Sequence, residues 1–329
     1  MRRPDHRFAD EDFRRQCDEA KAHHNLSDIL VRHTALKKRG ARELKGLCPF
    51  HDERSPSFEV NDAKGTFYCH GCGAAGDHFT ALTKLDGMTF RQAFEALTDD
   101  RFPTVDPADR ARRAEEDEAQ RLAAVEEARV FWIQALPVFG TPAETYLRRC
   151  RGLTLPIPPA FRFAMVPSRR DERGQWCRPY PALLGGVTLD EDLVAIQRIF
   201  LSDDGTDKRW GKKSKLTLGR FRSGAIKIGN RQSGPVEIVV TEGPEDALSI
   251  AQELPELEVW STLGTSNMPV LRLPPTVKRV TIAGQNDKAG RAAVQAAAEA
   301  LTLRGLDVQT MWPHPDFKDW NDQLRGVRA

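Results

Sequence analysis

The amino-acid sequence predicts a multidomain fold of the α+β and α/β classes. A small ribbon of β-strands comes first, a mixed α+β domain lies in the middle, and a parallel α/β sheet comes last. Two patterns support the outer parts: close pairs of cysteine and histidine near the N-terminus, and a regular alternation of apolar strands and helices after residue 233. A length of 329 residues also exceeds one ordinary core and suits two or three domains.

The composition favours a soluble, globular chain, because 40% of its residues are hydrophobic and 29% are charged. The N-terminus is polar and lacks the apolar core of a signal peptide, so we expect no membrane partner. Three of the six cysteines (Cys17, Cys150 and Cys177) are scattered along the chain. Such a dispersed remainder predicts a reducing, cytoplasmic environment and not a disulfide framework.

The other three cysteines belong to a metal-ligand pattern in the first domain. Cys48 and His51 form one pair, Cys69 and Cys72 form a second, and residues 52–68 separate them. This spacing supplies four ligands for tetrahedral Zn²⁺ and leaves no position open for a substrate. The sequence therefore predicts a structural zinc ion. His70 is interpreted as a surface residue.

We predict four parts along the chain: residues 1–98, 99–137, 138–232 and 233–329. The first part contains β-type runs at 57–60 and 65–68 on either side of a turn, then one helix over 77–97, as expected for a zinc ribbon. The second part is a charged connector, with a solvent-exposed helix over 108–136. The third part is a mixed α+β domain, with strands over 182–188 and 193–200.

The last part alternates strands and helices, which is typical of a parallel α/β sheet. The predicted elements are strand 236–241, helix 244–253, strand 259–262, strand 277–283, helix 288–304 and strand 307–312.

Charge is distributed unevenly despite a formal net charge of only +2. Nine lysine and arginine residues lie between Gly205 and Arg231, against Asp207 alone, whereas residues 236–329 carry thirteen acidic and nine basic residues. A basic surface beside an acidic site is suited to an enzyme that processes a polyanion.

Acidic residues follow the predicted strands of the last part. Glu242 follows strand 236–241, Asp287 follows strand 277–283, and Asp319 follows the final strand. Because the carboxyl ends of parallel strands form the binding crevice of an open sheet, we expect these carboxylates to converge there. The alternative interpretation makes Asp287 a helix N-cap, and Glu245 and Asp246 first-turn carboxylates that favour the helix dipole.

These motifs resemble those of a known family. The segments Cys48-Pro-Phe-His-Asp-Glu-Arg-Ser-Pro-Ser-Phe58 and Tyr68-Cys-His-Gly-Cys-Gly-Ala-Ala-Gly-Asp77 resemble the CHC2 zinc-binding domain of bacterial and phage DnaG-type primases. Glu242-Gly-Pro-Glu-Asp246, Asn286-Asp-Lys-Ala-Gly290 and Lys318-Asp319 resemble the acidic motifs of the Toprim domain. The middle stretch is similar to the region that precedes Toprim in phage- and plasmid-type primases.

The resemblance implies synthesis of a short RNA primer on a single-stranded DNA template from ribonucleoside triphosphates. Glu242, Asp287 and Asp319 would be the catalytic residues, and Asp287 and Asp319 would bind Mg²⁺ or Mn²⁺. Lys213 and Lys215 match the basic motif that would steer template and nucleotide. Asp246 and Gln285 are assigned to cofactor binding on the same grounds.

One residue departs from the family pattern, which has Asp-x-Asp where this chain reads Gln285-Asn-Asp287. Glutamine is neutral and a poor ligand for Mg²⁺. Our hypothesis is that Gln285 weakens metal binding and primer synthesis.

Other functions stay open. The chain is alternatively a catalytically inert single-stranded-DNA-binding module for replication or defence, or a Toprim nuclease. A topoisomerase is disfavoured, because Tyr68, Tyr146 and Tyr180 all precede the Toprim-like part. A helicase is disfavoured because Gly211-Lys-Lys-Ser214 misses the phosphate-loop spacing, so any helicase partner is expected on another chain.

Overall fold

A computed structural model of the protein describes residues 6–38, 43–99, 102, 106–229 and 236–328. The chain separates into two compact units, Met1–Gln120 (unit 1) and Arg121–Ala329 (unit 2). Arg231 and the predicted boundary at 232/233 lie outside the described residues. The four-part division of the chain stays a prediction.

Unit 1 is built on a small antiparallel sheet in the order β1-β2-β3-β4-β5. Its elements are α1 (His6–Ala22), α2 (Leu26–Leu30), β1 (Lys37–Lys38), β2 (Glu43–Gly46), β3 (Phe58–Asn61), β4 (Thr66–Cys69), β5 (Ala75–Gly76), α3 (His78–Leu85), α4 (Phe90–Thr98) and the first part of α5 (Pro107–Gln134). The two β-type runs of the sequence are β3 and β4, paired as neighbours.

The single helix predicted over 77–97 is wrong, because two helices occupy this stretch. Helix α3 ends at Leu85, and Gly87 has a φ of 67°, which an L side chain rarely adopts. Thr89 then starts α4 with a capping box, in which its side chain accepts from the Gln92 backbone N–H and the Gln92 side chain accepts from the Thr89 N–H. Both signals were present in the sequence, but the apolar stripe runs through the break.

Aromatic packing holds the ribbon of unit 1 together. Phe58 and Phe67 are fully buried on β3 and β4, and Phe50 stacks on Phe67 at a centroid distance of 5.2 Å. Tyr68 points the other way on its strand and is 46% exposed. Burial of this kind contributes about 1.5–3 kcal/mol per aromatic side chain, so the cluster compensates for the small size of the sheet.

Unit 2 contains the end of α5 and two sheets. Its elements are α6 (Pro142–Thr145), a π-helical turn (Tyr146–Cys150), β6 (Phe161–Pro167), β7 (Pro179–Leu189), β8 (Asp192–Phe200), a 3₁₀ turn (Gly211–Ser214), β9 (Lys215–Gly219), β10 (Ile226–Ile228), β11 (Glu237–Thr241), α7 (Pro244–Glu253), β12 (Glu258–Ser261), a 3₁₀ turn (Thr265–Val270), β13 (Arg279–Ala283), α8 (Lys288–Leu303), β14 (Asp307–Met311) and α9 (Trp320–Arg325).

The first sheet of unit 2 is antiparallel, in the order β6-β7-β8-β9. The second has the order β10-β12-β11-β13-β14 and is parallel except for β10, which pairs antiparallel with β12 at its edge. The predicted fold class is confirmed: a zinc-ribbon domain, a mixed middle part and a mostly parallel last sheet. The sheet begins earlier than expected, because β10 precedes the predicted boundary at residue 233.

The side chains of β11 and β13 explain why the last sheet is buried on both faces. Ile238, Val239 and Val240 of β11 are fully buried, and Val280 and Ile282 of β13 are too. A continuous apolar run of this kind is typical of a parallel strand covered by helices on both sides.

None of the helices in the described part of the chain is long and apolar enough to cross a membrane.

Candidate functional site

Four side chains of unit 1 form a compact metal-ligand set. The ligand atoms of Cys48, His51, Cys69 and Cys72 all lie within 4.8 Å of one another. The Cys48 and Cys72 Sγ atoms are 3.8 Å apart, and Cys69 Sγ is 3.8 Å from His51 Nδ1. With Zn–S bonds of about 2.3 Å, a tetrahedral site requires sulfur atoms about 3.8 Å apart. The residues present therefore fit a zinc ion.

Backbone N–H groups converge on the sulfur atoms of this set. Those of Gly71 and Cys72 donate to Cys69 Sγ at 3.3 and 3.4 Å, and that of Phe50 donates to Cys48 Sγ at 3.4 Å. Although burial alone raises the pKa of Cys69, the Ser57 hydroxyl and the two N–H groups lower it to about 7. These donors favour the thiolate, which is the form that binds a metal.

Glu53 orients the histidine and the loop around it. Its carboxylate accepts the backbone N–H groups of Cys48 and Ser57 at 2.7 and 3.0 Å, and it lies 3.6 Å from His51 Nε2. A carboxylate on the outer ring nitrogen leaves Nδ1 as the metal-facing atom and fixes the ring orientation. Sequence reasoning did not identify this role of Glu53.

We expect Gly71→Ala to lower zinc affinity by about 10- to 100-fold, an effect of the size that outer-shell changes at metal sites produce. A Cβ at residue 71 would lie 2.8 Å from His51 Nε2 and 2.9 Å from Ser57 Oγ, so the ligand ring must move. Zinc release to a chromogenic chelator measures the change. His70→Ala is the matched control, because the neighbouring ring bonds Glu59 outside the ligand set. Equal zinc affinities for the two variants would contradict the prediction.

The acidic site lies in unit 2, where the N-terminal end of α7 faces the antiparallel sheet. A cavity of about 180 Å³ is lined there by acidic, basic and amide side chains. The lining residues are Arg151, Gln197, Lys208, Lys215, Glu242, Gly243, Pro244, Glu245, Asp246, Leu263, Gln285, Asp319 and Asn321. The carboxyl ends of β11 and β13 open into this cavity, as the parallel sheet predicts.

Glu245 is the anion around which the basic side chains assemble. It is 7% exposed, and its two carboxylate oxygens lie 2.8 Å from Lys208 Nζ and 2.7 Å from Lys215 Nζ. Tyr146 also donates its hydroxyl to Glu245 at 3.1 Å. Burial would raise the pKa of Glu245, but Lys215 and Lys208 outweigh it and hold the pKa well below its usual range. The cluster carries a net positive charge, which favours phosphate groups.

Asp246 and Gln285 are hydrogen-bonded to each other in the cavity. Gln285 Nε2 donates to Asp246 Oδ2 at 2.8 Å, and the Asn321 backbone N–H donates to Oδ1 at 3.2 Å. Burial, and then the nearby Asp319, raise the pKa of Asp246 to about 7. These two effects favour the protonated form of Asp246 near neutral pH.

Glu242 lines the cavity, and Asp287 lies close enough to affect it electrostatically. Burial raises the pKa of Glu242, Lys215 opposes this, and Asp287 adds to it. Asp287 also accepts the Gly290 backbone N–H at 2.7 Å as the N-cap of α8, and lies 3.8 Å from Lys318 Nζ. Asp319 caps α9 in the same way, through the Asp322 N–H. The N-cap interpretation is therefore correct for Asp287, and Asp319 shares it.

The structure brings together most of the predicted site residues. Five of them line the cavity: Lys215, Glu242, Asp246, Gln285 and Asp319. Two predicted residues do not line it, namely Asp287 and Lys213. Asp287 still acts electrostatically on Glu242, whereas Lys213 belongs to the exposed 3₁₀ turn before β9.

Eight lining residues were not among the predicted site residues, and five of these are polar or charged: Arg151, Gln197, Lys208, Glu245 and Asn321. Lys208 was counted only as part of the basic run, and Glu245 was interpreted as a dipole-favouring carboxylate. A buried glutamate in the first turn of α7 needs a cation, and the basic run was the nearest source. The need of a buried glutamate for a cation therefore predicts an ion pair between Glu245 and a lysine or arginine of the basic run, but it does not identify the partner.

The acidic residues are not preassembled as a metal cage. Across residues 6–38, 43–99, 106–229 and 236–328, the group of three or more His, Cys, Asp or Glu side chains close enough to hold an ion is the zinc set. Mg²⁺ is usually bound through one or two carboxylates together with substrate phosphates. Glu242, Asp246 and Asp319 lie around one small cavity and could together hold a divalent cation.

Three family comparisons divide the chain in the same order as the structure. Residues 13–112 match the family described as CHC2 zinc finger. Residues 123–228 match a domain family of unknown function. Residues 237–328 match the family described as Toprim domain.

Several sequence relatives are DNA primases. The chain is 34% identical over 361 residues to the DNA primase of Halalkalibacterium halodurans, covering 97% of this chain and 57% of that protein. It is 31% identical over 198 residues to the DNA primase of Enterococcus faecalis, covering 57% of this chain and 30% of that protein. The chain thus spans between about a third and somewhat more than half of these relatives.

A crystal structure of the Aquifex aeolicus primase, with its zinc-binding and RNA polymerase domains, aligns with 94% of this chain and 82% of that chain, at a TM-score of 0.44 and 18% identity. With a zinc-ligand set in unit 1, an acidic cavity at the strand ends of unit 2 and these sequence relatives, the chain is similar to the DnaG-type DNA primases, and a segment that matches the CHC2 zinc finger family is followed by one that matches the Toprim family.

Proposed function

We propose that this chain synthesises short RNA primers on single-stranded DNA from ribonucleoside triphosphates, in the cytoplasm, and that a replicative helicase on a separate chain is its partner. One observation carries the proposal. Carboxylates at the ends of parallel strands and the cationic cluster around Glu245 share one cavity of about 180 Å³. Such a site accommodates both a divalent cation and the phosphates that the cation accompanies.

Each group has a role in the proposed reaction. The primer 3′-oxygen attacks the α-phosphorus, pyrophosphate leaves, and the hydroxyl proton passes to a carboxylate. Glu242 suits proton acceptance, because burial raises its pKa toward the working pH. Lys208 and Lys215 supply positive charge where the phosphates bind. Asp287 and Asp319 would hold Mg²⁺ or Mn²⁺, which neutralises triphosphate charge when bound.

In unit 1, the zinc ion has a structural role in this proposal. Cys48, His51, Cys69 and Cys72 occupy all four positions of a tetrahedral site, which leaves none for substrate. Lys213 is proposed to contact template or nucleotide from the exposed turn before β9, outside the cavity itself.

A second candidate, an inert DNA-binding module, is favoured by one contact. The Gln285 amide donates to Asp246 at 2.8 Å and so takes a position where a cation would bind that carboxylate. The two candidates differ in their response to a new carboxylate at residue 285.

We expect Gln285→Asp to raise Mg²⁺ affinity by about tenfold and to increase primer yield, because a further carboxylate adds ligand charge to the site. The assay uses single-stranded DNA, labelled ribonucleotides and Mg²⁺ or Mn²⁺. Gln285→Asn is the matched control, since it has the size of aspartate without the charge. Glu242→Gln should abolish synthesis.

The products decide among the functions. Short RNA from the unaltered chain, lost in Glu242→Gln, supports primer synthesis. Degraded DNA would identify a nuclease instead. If the unaltered chain and Gln285→Asp both bind DNA and neither forms a product, the inert DNA-binding module is the better interpretation. No gain in Gln285→Asp over Gln285→Asn would contradict the role given to Gln285.

A further inference from the structure

One polar atom in the acidic cavity has no assigned role. Gln197 is 5% exposed and lines the cavity from strand β8. Within the part of the chain that the structure describes, its Oε1 atom is buried and has no hydrogen-bond partner. Buried acceptors in folded proteins are nearly always paired, so an unpaired one in a binding cavity indicates a position that a ligand donor occupies.

The backbone of Gln197 holds this side chain in a defined place. Strand β8 lies between β7 and β9, and Gln197 is opposite Gly185 on one side and Thr217 on the other. Its neighbours Ile196 and Arg198 are buried as well. The backbone of Gln197 is therefore fixed on a central strand that is paired along both edges.

The position of Gln197 relative to Lys215 limits the identity of the donor. Lys215 is opposite Ile199, two residues from Gln197, and both Lys215 and Gln197 line the cavity. Diagonal neighbours on one face of a sheet lie about 7–8 Å apart. A ligand whose phosphates face Lys215 therefore places its adjacent group near Gln197.

The neutral carboxamide of Gln197 limits the chemical type of the donor. The cavity already contains carboxylates, which attract cations, and lysines, which attract phosphates. A carboxamide oxygen is a neutral acceptor, and it matches a neutral O–H or N–H group. In a nucleotide, the neutral donors adjacent to the phosphates are the sugar hydroxyls, and the donors of the base lie farther away.

We propose that Gln197 is a specificity-determining residue, whose Oε1 accepts a hydrogen bond from a sugar hydroxyl of the nucleoside triphosphate. The assignment rests on the proposed function, since it names how that site recognises its substrate. Gln197 would then recognise the ribose, whereas the other polar side chains of the cavity mainly bind metal or phosphate or accept a proton. A site that pairs a substrate hydroxyl rejects the analogue without it, because the protein acceptor is then left buried and unpaired.

The test measures binding of ATP, 2′-deoxy-ATP and 3′-deoxy-ATP to the full chain with Mg²⁺ by calorimetry. The unaltered chain should bind ATP about 10- to 100-fold more tightly than the analogue that lacks the contacted hydroxyl. In Gln197→Leu, which has a similar volume and no acceptor, the preference should disappear while binding of that analogue persists. Thr217→Val is the matched control on the adjacent strand and should retain the preference.

A second variant at residue 197 keeps the test valid if Gln197→Leu fails to fold. Gln197→Glu retains an acceptor oxygen and should retain the preference for the hydroxyl even where its overall affinity changes. A preference that persists in Gln197→Leu, or an unaltered chain that binds all three nucleotides equally, overturns the assignment. A preference that follows the base, measured with GTP and CTP, overturns the choice of sugar.

These results separate the two proposals. Primer synthesis by the unaltered chain without sugar discrimination overturns the role of Gln197 and leaves the proposed function standing. Absence of both nucleotide binding and primer synthesis overturns both.

Discussion

Glu245→Gln is expected to lower the free energy of unfolding of unit 2 by about 3–5 kcal/mol, the cost of breaking a buried ion pair. The carboxylate is 7% exposed and lies within 2.8 Å of both Lys208 and Lys215. Its loss leaves two lysines close together with no anion between them. Denaturant unfolding followed by tryptophan fluorescence measures the effect, since all six tryptophans lie in residues 121–329.

Glu253→Gln is the matched control for this change, because Glu253 is on the same helix and is exposed. The pH dependence provides a second check. The pKa of Glu245 is lowered in the folded state, so its stabilisation is present above the unfolded pKa of about 4.3 and is lost as the pH falls through the lower folded pKa. The difference between Glu245→Gln and the unaltered chain should therefore shrink in acid. Equal stabilities for the two variants at neutral pH would contradict the assignment.

Removal of zinc is expected to unfold unit 1 and to leave unit 2 folded. Zinc binding contributes about 10–16 kcal/mol of apparent free energy in small zinc domains, more than the whole stability of a typical small domain. Cys72→Ala removes one ligand and should bring the zinc content from one ion per chain to none. Hydrogen exchange should then show loss of protection over 43–99, with an unchanged tryptophan unfolding transition in unit 2.

Cys177→Ala is the control for loss of a thiol, because Cys177 lies in unit 2 and outside the ligand set. It should retain one zinc ion and full protection in unit 1. Chelator treatment of the unaltered chain should reproduce the effect of Cys72→Ala. If unit 1 kept its protection after complete loss of zinc, the structural role of the metal would be wrong.

Local patterns of the sequence were sufficient for much of the fold. The strands and helices of the last sheet follow from the alternation of apolar runs with helical segments, and helix α7 begins at Pro244 and ends at Glu253 as predicted. The break between α3 and α4 was missed because the apolar stripe continues across Gly87. There, backbone conformation and capping at Thr89 outweigh periodicity.

The candidate site was predictable where a residue follows a strand directly. Glu242 comes directly after β11 and lines the cavity as the strand-end argument expects, whereas Asp287, which follows β13, does not line it. Which lysines pair with Glu245 was not predictable, because each contact joins helix α7 to a residue 30 or more positions earlier in the sequence. Nor does any sequence pattern distinguish Gln197, since its property is the lack of a partner for a buried atom.

Strand β10 has a consequence for any attempt to divide this protein. Ile226, Lys227 and Ile228 hydrogen-bond along the outer edge of β12, where Trp260 is 2% exposed beneath the Lys227 ammonium. A fragment cut at residue 233 would bare that row of amide and carbonyl groups, which is a template for self-association. An excised fragment that contains this sheet and is to remain monomeric must therefore start upstream of Ala225.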